Sequence, residues 1–274
     1  MVTKDFNTDD NKQWAVILGG SSGLGYASAE KLARHGMNLC IVHRDRRSRL
    51  AEIEEKFETL KSFGSELMTF NADALKPETI QQVIDSLNEQ NGKVSVLIHS
   101  LAKGNLKPIY SEDAEEKKLT TTDFMITLEA MTVSLYSWAS AFLPAGSQGT
   151  EGKLFSRPAR IIAFTSEGSS KPAPNYAAVS VAKAGLEALV RSLAFELAPL
   201  EITANCIQAG VTDTESLQLI PGSDVLKDQA LARNPNKRLT TPNDVANAVY
   251  LLCRPESHWI TGTVIKADGG ESLR

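Results

Sequence analysis

Short apolar runs alternate with longer stretches of helical periodicity along the whole chain of 274 residues. This alternation is typical of successive βαβ units, so it predicts an α/β fold with one parallel sheet of about seven strands. Helices of the intervening stretches are expected on both faces of the sheet. The predicted strands span residues 14–19, 38–43, 66–71, 94–99, 159–165, 201–207 and 262–267.

Two stretches follow neither period and are predicted to be loops: Lys103–Lys118 and the Gly/Ser-rich Ala145–Ser156. No linker divides the chain, so residues 1–274 are expected to form a single domain. The segment at about 214–235 mixes leucine and isoleucine with Gly222 and two prolines. It fits either a mobile flap over a substrate or a packed surface helix.

Composition narrows the possible functions. The chain is 42% hydrophobic and 23% charged with a net charge of −4, which is typical of a globular protein without a broad cationic surface. Nucleic acids and anionic membranes are therefore not expected partners. The first thirteen residues are polar and acid-rich, and no uncharged apolar run approaches the ~18 residues of a membrane span.

Cysteine and histidine usage argues against a disulfide framework and against a metal site. The three cysteines are widely separated and lack CxxC spacing, which favours a cytoplasmic location. The four histidines share no metal-ligand spacing, so no catalytic metal is expected.

A glycine-rich turn follows the first predicted strand. The run Trp14–Leu18 leads into GGSSGLG and then into a helical pattern. Gly19, Gly23 and Gly25 allow a tight turn, backbone approach to a pyrophosphate and close packing of the helix, whose N-terminus attracts an anion. An ordinary glycine turn is the alternative interpretation.

The same segment also matches G-x-S-x-G, the nucleophile elbow of serine hydrolases, with Ser21 as nucleophile and His258 as a late partner. Its place after the first strand and the lack of an HGGG-like segment argue against that hypothesis.

The second predicted strand ends in Val42, His43, Arg44 and Asp45, where an NAD-preferring fold places an acidic residue for the ribose hydroxyls. Histidine cannot serve that purpose. Arg44, with Arg46 or Arg47, can pair with a 2′-phosphate, which favours NADPH over NADH. The alternative is a solvated charge run that opens a helix.

A tyrosine and a lysine are predicted to share one helix face. Pro172 and Pro174 delay the helix, Asn175 can cap it, and an apolar pattern predicts a helix over 175–197. Tyr176 and Lys183 are then two turns apart, about 10 Å, on one side. The ammonium would lower the phenol pKa and can also bind nucleotide ribose hydroxyls. An accidental surface pair is the alternative.

With that pair placed after GGSSGLG, the chain resembles the short-chain dehydrogenase/reductase family over nearly its whole length. The resemblance implies a Rossmann-type doubly wound sheet and an NAD(P)H-dependent oxidoreductase. Further landmarks occur in the family order: NCIQAGVTDT at 205–214, TPNDV at 241–245, ITG at 260–262 and DGG at 268–270.

The spacing within the pair resembles one branch of that family. Position 179 is Val, so the usual Y-x3-K is replaced by Y-x6-K, as in enoyl-acyl-carrier-protein reductases. Departures that point the same way are His99-Ser100 for Asn-Asn, Ala209-Gly210 for Pro-Gly, and a predicted helix 123–143 without asparagine. Ser166 holds the position of the usual catalytic serine, where some enoyl reductases carry a second tyrosine.

This resemblance implies NADPH-dependent reduction of a trans-2-enoyl thioester, expected on an acyl carrier protein in fatty acid biosynthesis. Tyr176 would stabilise the enolate oxygen, and Lys183 would hold the nicotinamide ribose. A carbonyl reductase, such as a 3-oxoacyl-acyl-carrier-protein reductase, is the alternative; a cofactor-binding regulator without catalysis is a more distant one.

The resemblance also implies positions for the nucleotide and an assembly. Asp73 would contact the adenine, although it can instead be a turn or cap residue. Apolar residues on more than one face of helices 123–143 and 175–197 suggest a homo-oligomer, a tetramer by analogy with the family. Lys227, Arg233, Lys237 and Arg238 form a cationic cluster that can attract an acidic carrier or remain solvated. The implied contacts are Gly19, Ser21, Ser22, Gly23, Leu24 and Gly25 for the pyrophosphate and ribose, Ser100 and Ala102 for the adenosine side, and Val211 and Thr214 for the nicotinamide end.

Overall fold

Seven parallel strands form one sheet in the order β3-β2-β1-β4-β5-β6-β7. The computed structural model describes residues 6, 12–113, 115–143, 154–218 and 222–274. The predicted α/β fold with a parallel seven-stranded sheet is confirmed. The strands are β1 Gln13–Leu18, β2 Asn38–His43, β3 Leu67–Asn71, β4 Lys93–His99, β5 Phe155–Thr165, β6 Ile202–Ala209 and β7 Val264–Ala267.

Helices cover both faces of the sheet. They are α1 Gly23–Arg34, α2 Leu50–Lys61, α3 Pro77–Glu89, α4 Thr121–Leu128, α5 Ser134–Phe142, α6 Ala177–Leu197, α7 Glu215–Gln218, α8 Ser223–Arg233 and α9 Pro242–Cys253. A π-helical turn, Glu129–Val133, joins α4 to α5. None of the helices in the described ranges is long and apolar enough to cross a membrane.

The central strands are buried on both faces, as expected of a parallel sheet between two helical layers. On one face, Trp138 of α5 and Leu186 of α6 pack with Val16 and Leu97 of the sheet. On the other face, helices α1, α2 and α9 pack against alternate residues of the same strands. Packing of these two cores fixes the positions of the carboxyl ends of the strands relative to one another.

Most predicted strands differ from the structure by one or two residues at an end, and β5 begins four residues earlier than predicted. Strand β5 begins at Phe155, which pairs with Val94, so the end of the predicted loop Ala145–Ser156 is wrong; its residues 145–153 lie outside the described ones. Strand β7 begins at Val264 instead of 262. Asn175 does not cap α6, because its φ of 60° is left-handed and Tyr176 takes the N-cap position.

The strand order reverses between β1 and β4, because the chain continues from β1 to β2 on one side and returns to β4 on the other. Open α/β sheets bind their ligands outside the carboxyl ends of the strands at such a switch point. The glycine turn after β1 and the loop after β4 therefore border the expected ligand position.

Candidate active site and nucleotide cleft

Hydrogen bonds hold the glycine turn, Gly19–Gly25, between the ends of strands β1, β2 and β4. The Gly19 amide donates to the Val42 carbonyl at 2.8 Å, and the Ser100 amide donates to the Leu18 carbonyl at 2.9 Å. A Cβ on Gly19, whose φ is 84°, would lie 2.6 Å from the Ser100 carbonyl oxygen. A Cβ on Gly25 would collide with the Gly19 carbonyl oxygen. Side chains are therefore excluded here, and the backbone remains open to a ligand.

The start of α1 fits a nucleotide pyrophosphate. Ser22 is the N-cap residue, and its side chain makes no capping hydrogen bond within the described chain. The first turn of the helix, which is described completely, contains no acidic residue. The helix N-terminus is consequently available to an anion, with Ser21 buried in the turn and Leu24 packed against the core.

Arg44 and Asp73 meet at the edge of the cleft beyond β2 and β3. Arg44 Nη1 donates to Asp73 Oδ2 at 2.8 Å, while Asp73 Oδ1 accepts the Leu75 amide at 3.1 Å. Asp73 thus has the turn role that the sequence left open, and it also positions the arginine. Arg44 keeps 65% of its side chain exposed, so its guanidinium remains accessible to a phosphate.

The buried imidazole of His43 bonds Asp45 and packs edge-on against Phe57. His43 Nδ1 lies 2.8 Å from Asp45 Oδ2, and both side chains are largely buried. The acidic group nearest to the end of β2 is therefore already engaged, whereas Arg44 and the following Arg46 and Arg47 are exposed.

The end of β5 brings Tyr176, Ser166 and Lys183 together. Ser166 Oγ lies 3.4 Å from Tyr176 Oη. Lys183 is buried and donates from Nζ to the Phe164 carbonyl at 2.7 Å. The tyrosine ring packs against an apolar cluster of Met131, Val179 and Ala182. The three predicted catalytic side chains therefore surround one strand end.

Burial changes the acidity of both ionisable groups in this trio. It lowers the Lys183 pKa to about 8, with opposing electrostatic effects of Cys206 and Glu187. The Tyr176 pKa is raised by burial, against a lowering effect of the Ser166 hydrogen bond. The expectation that the lysine lowers the phenol pKa is therefore wrong for the protein without nucleotide, because desolvation dominates.

His99 lies at the end of β4 and is completely buried. Its Nε2 is 2.8 Å from Ser134 Oγ, whereas its Nδ1 finds no partner among the described residues. Burial and the Lys183 charge lower the His99 pKa to about 3, so the imidazole is neutral. The sequence marked His99 as a departure but gave no sign of its bond to Ser134.

The loop after β4 is fastened to the start of α4 by a carboxylate that sequence patterns missed. Lys107 Nζ contacts both Asp123 oxygens, at 2.8 and 2.9 Å, and Asn105 Nδ2 donates to Asp123 Oδ1 at 2.7 Å. Asp123 also completes a capping box with Thr120. Leu106, between the two fastened residues, packs against the same cluster as Tyr176. Ala102, earlier in this loop, is exposed.

The segment after β6 reaches across the glycine turn. A Cβ on Gly23 would lie 3.5 Å from Thr214 Cγ2, so Thr214 lies beside the predicted pyrophosphate position. Glu215 then forms a bidentate ion pair with Arg49, with N–O distances of 2.6 and 2.7 Å. Arg49 follows β2, so this ion pair joins the two sides of the cleft.

Val211 lies in the turn that follows β6, and its amide donates to Glu271 Oε2 at 3.0 Å. A nucleotide would therefore meet other atoms of Val211.

Beyond this turn, α8 is described completely and buries only Ala230 fully, which is typical of a loosely held flap. Residues 219–221 of the predicted flap lie outside the described ones.

A sequence profile described as Enoyl-(Acyl carrier protein) reductase matches residues 19–272. The Short-chain dehydrogenase/reductase eriH of Hericium erinaceus is 30% identical over 93% of this chain and 96% of its own length. The chain belongs to the short-chain dehydrogenase/reductase family. As a member of that family, it is an NAD(P)(H)-binding oxidoreductase.

Two further similarities of this short-chain dehydrogenase/reductase are to a curated relative and to a solved structure. The peroxisomal 2,4-dienoyl-CoA reductase SPS19 of Saccharomyces cerevisiae is 28% identical over 93% of this chain and 82% of its own length. The crystal structure of an enoyl-[acyl-carrier-protein] reductase (NADH) from Aquifex aeolicus has a TM-score of 0.80 and 24% identity, covering 96% of this chain and 98% of that one. The latter shows the shared Rossmann-like fold.

Membership of the short-chain dehydrogenase/reductase family excludes the serine hydrolase hypothesis. Topology gives the physical reason. Ser21 follows β1 at the carboxyl edge of the sheet, whereas His258 precedes β7 at the opposite edge and bonds the Pro255 carbonyl. Within the described chain, no three His, Cys, Asp or Glu side chains gather as a metal site.

Most of the cationic cluster of this short-chain dehydrogenase/reductase is neutralised within the chain. Lys227 pairs with Asp213 at 2.9 Å, and Arg238 pairs with Asp244 at 2.6 Å. Arg233 pairs with Glu167 and Glu271. The cluster therefore offers an acidic carrier far less charge than its sequence suggests.

Proposed function

We propose that this oxidoreductase reduces a trans-2-enoyl thioester with NADPH, and that its substrate is carried on an acyl carrier protein in fatty acid synthesis in the cytoplasm. The observation that carries the proposal is the position of the Tyr176 hydroxyl. Tyr176 occupies the N-cap of α6, seven residues before Lys183, whose ammonium bonds the Phe164 carbonyl near the end of β5. The resemblance to enoyl reductases rests on this spacing.

Tyr176 would donate its hydroxyl proton in a hydrogen bond to the thioester oxygen, where negative charge develops as the enolate forms. A single well-aimed donor contributes about 3 kcal/mol of transition-state stabilisation. The raised phenol pKa keeps that proton on Tyr176 at neutral pH. The apolar cluster packs against the partly buried ring and lowers the local dielectric, which strengthens the hydrogen bond.

Lys183 would bind the nicotinamide ribose and add positive charge beneath the enolate. Its present bond to the Phe164 carbonyl fixes the direction of the ammonium. When bound, the reduced nicotinamide supplies the hydride. Ser166 would hold the tyrosine hydroxyl in place through their mutual hydrogen bond.

The nucleotide would lie across the switch point, with its pyrophosphate at Gly19–Gly25 and its adenosine towards Arg44, Asp73 and Ser100. Arg44 supports NADPH over NADH because its exposed guanidinium can bind a 2′-phosphate in a charge-assisted pair. Val211 and Thr214 would close the nicotinamide side.

A homotetramer is proposed from apolar side chains left exposed on the helices next to the site. Met125, Val133 and Tyr136 on the α4–α5 segment and Val181 on α6 are between 48% and 62% exposed. Buried by a second copy, they would stabilise an interface. Val181→Arg should shift the mass measured by light scattering to a smaller species; an unchanged mass would exclude this face as an interface.

Carbonyl reduction is the second candidate, and the contact between Ser166 and Tyr176 favours it. A serine hydroxyl beside the tyrosine can bind a ketone oxygen and share the phenol's proton donation. The carbonyl alternative would then use the same three side chains on a 3-oxoacyl thioester.

The two candidates are separated by following NADPH oxidation with crotonyl and acetoacetyl thioesters, each on coenzyme A and on acyl carrier protein. The proposal requires a kcat/KM at least ten-fold higher for the crotonyl thioester and a preference for NADPH over NADH. Faster reduction of the acetoacetyl thioester would support the carbonyl reductase. Nucleotide binding without turnover of either substrate would support a regulator.

A further inference from the structure

One guanidinium joins two carboxylates from distant parts of the chain. Arg233 is the last residue of α8; its Nη1 donates to Glu167 Oε2 at 2.8 Å, and its Nη2 donates to Glu271 Oε1 at 2.9 Å. Glu271 is 3% exposed, and Arg233 keeps 33% of its side chain exposed. A partly desolvated arginine with two separate carboxylate partners resists displacement far more than a surface ion pair.

Glu167, the first carboxylate partner of Arg233, lies in a turn next to the predicted catalytic serine. Glu167 directly follows Ser166 and begins the short 3-10 turn Glu167–Ser169. A Cβ on Gly168 would collide with the Tyr176 ring, and Ser180 Oγ donates to the Gly168 carbonyl. The turn therefore contacts Tyr176 and directly follows Ser166, two of the three side chains assigned to catalysis. Its position depends on where the Glu167 carboxylate is held.

Glu271, the second carboxylate partner of Arg233, contacts the turn after β6 that contains Gly210 and Val211. Glu271 Oε2 accepts the Val211 amide, immediately after the end of β6. A Cβ on Gly210 would meet the Thr240 and Glu271 side chains, so the carboxylate also packs against the turn. Glu271 consequently sets the backbone position of Val211, the residue expected at the nicotinamide.

Removal of the arginine charge would leave two carboxylates near each other. Two carboxylates, Glu167 and Glu271, face Arg233. Glu167 also pairs with Lys171 at 2.6 Å, and Glu271 is repelled electrostatically by Asp268 and Glu167. Burial and these acidic neighbours raise the Glu271 pKa, whereas Arg233 and the Val211 amide oppose that rise. The two turns would separate without their common cation.

We propose that Arg233 is a positioning residue that fixes the turn Glu167–Ser169, which follows Ser166 and contacts Tyr176, relative to the turn bearing Val211. This inference rests on the proposed function, since it assumes that the substrate lies against the first turn and the nicotinamide against the second. The geometry makes Glu167 and Glu271 the two attachment points, one for each half of the site. A misplacement of about 1 Å between reacting groups lowers rates by roughly 100-fold.

Arg233→Lys tests the inference, because one ammonium cannot span both carboxylates as the guanidinium fork does. We expect kcat for the crotonyl-CoA thioester to fall at least ten-fold, with the dissociation constant of NADPH within three-fold of wild type. Arg238→Lys is the matched control: its bidentate pair with Asp244 is comparable but joins neither turn. Its kcat should stay within two-fold of wild type.

A second readout is independent of turnover. In the nucleotide-free protein, hydrogen exchange of the Val211 amide should accelerate at least ten-fold in Arg233→Lys and stay unchanged in Arg238→Lys. Glu271→Gln retains an oxygen for the Val211 amide, so it should preserve that protection better than Glu271→Ala.

Unchanged Val211 exchange in Arg233→Lys, or a kcat equal to that of Arg238→Lys, would overturn the inference. Wild-type protein inactive on both thioesters would refute the proposed function alone, since Val211 exchange still decides whether Arg233 holds the turn. A drop in kcat explained by partial unfolding is recognised because amides in β4 and β5 would then also lose protection.

Discussion

The Tyr176 hydroxyl can be deleted with little change in packing. In Tyr176→Phe the ring remains against Met131, Val179 and Ala182, and only Oη is lost. Its one described hydrogen bond, to Ser166 Oγ, is long at 3.4 Å. The free energy of unfolding should therefore change by less than about 1 kcal/mol.

The effect on turnover should be much larger. A donor to the enolate oxygen contributes about 3 kcal/mol, and each 1.36 kcal/mol corresponds to about a factor of ten. We expect kcat for the crotonyl thioester to fall by about 100-fold or more. The dissociation constant of NADPH should stay nearly constant, because Lys183 and the glycine turn, not the phenol, are assigned to the nucleotide.

The assay combines stopped-flow absorbance of NADPH at saturating thioester, nucleotide fluorescence titration and thermal unfolding. Tyr26→Phe is the matched control, since it deletes a hydroxyl that donates to the Lys56 carbonyl at 3.2 Å on another helix. A Tyr176→Phe enzyme that keeps more than a tenth of wild-type kcat would refute the donor role. Parallel loss of nucleotide affinity would show that the phenol serves the nucleotide instead.

Three other perturbations probe the nucleotide cleft and the lysine. Arg44→Ala should raise the KM for NADPH about 10-fold or more and leave that for NADH unchanged, because a charge-assisted bond to the 2′-phosphate is lost; equal effects in steady-state kinetics would exclude that contact. Gly25→Ala should weaken NADPH binding at least ten-fold in fluorescence titration and destabilise the fold by about 1–3 kcal/mol, owing to the clash with the Gly19 carbonyl. Gly185→Ala, whose Cβ would have its nearest neighbour at 3.5 Å, should be neutral or stabilising and serves as its control. Because the folded pKa of Lys183 is about 8 and its ordinary value is 10.5, the unfolded state binds more protons between these values and stability rises with pH there. In urea unfolding, wild type should therefore gain about 2 kcal/mol over Lys183→Met from pH 7 to pH 9.5; a gain at the lower pH would contradict the sign.

Local patterns were sufficient for the sheet but not for every strand end. Buried parallel strands are continuous apolar runs, so Trp14–Leu18 and the strand at 94–99 stand out from their surroundings. The beginning of β5 does not, because Phe155 is followed by Arg157 and Pro158 and lies next to a Gly/Ser-rich stretch. Its pairing with Val94 is a long-range contact that no local period reveals.

The candidate site likewise combines residues that local sequence patterns predict with contacts that only the fold brings together. The Gly turn and the Tyr176–Lys183 spacing are local, and sequence order alone placed them. Partners such as Asp73 for Arg44, or Glu167 and Glu271 for Arg233, are separated by 29 to 66 residues and depend on how loops fold over the sheet. The phenol pKa was mispredicted for a related reason, since burial depends on tertiary packing.

The ion pair between Arg49 and Glu215 should make nucleotide exchange sensitive to ionic strength. Both side chains are partly exposed, at 33% and 46%, so dissolved salt screens their attraction. A nucleotide that leaves from beneath the Thr214 segment requires the two sides of the cleft to separate. Salt would thus accelerate departure of the spent nucleotide while leaving the enclosed chemistry at Tyr176 nearly untouched, and the slowest step of the cycle would differ between dilute and concentrated buffers.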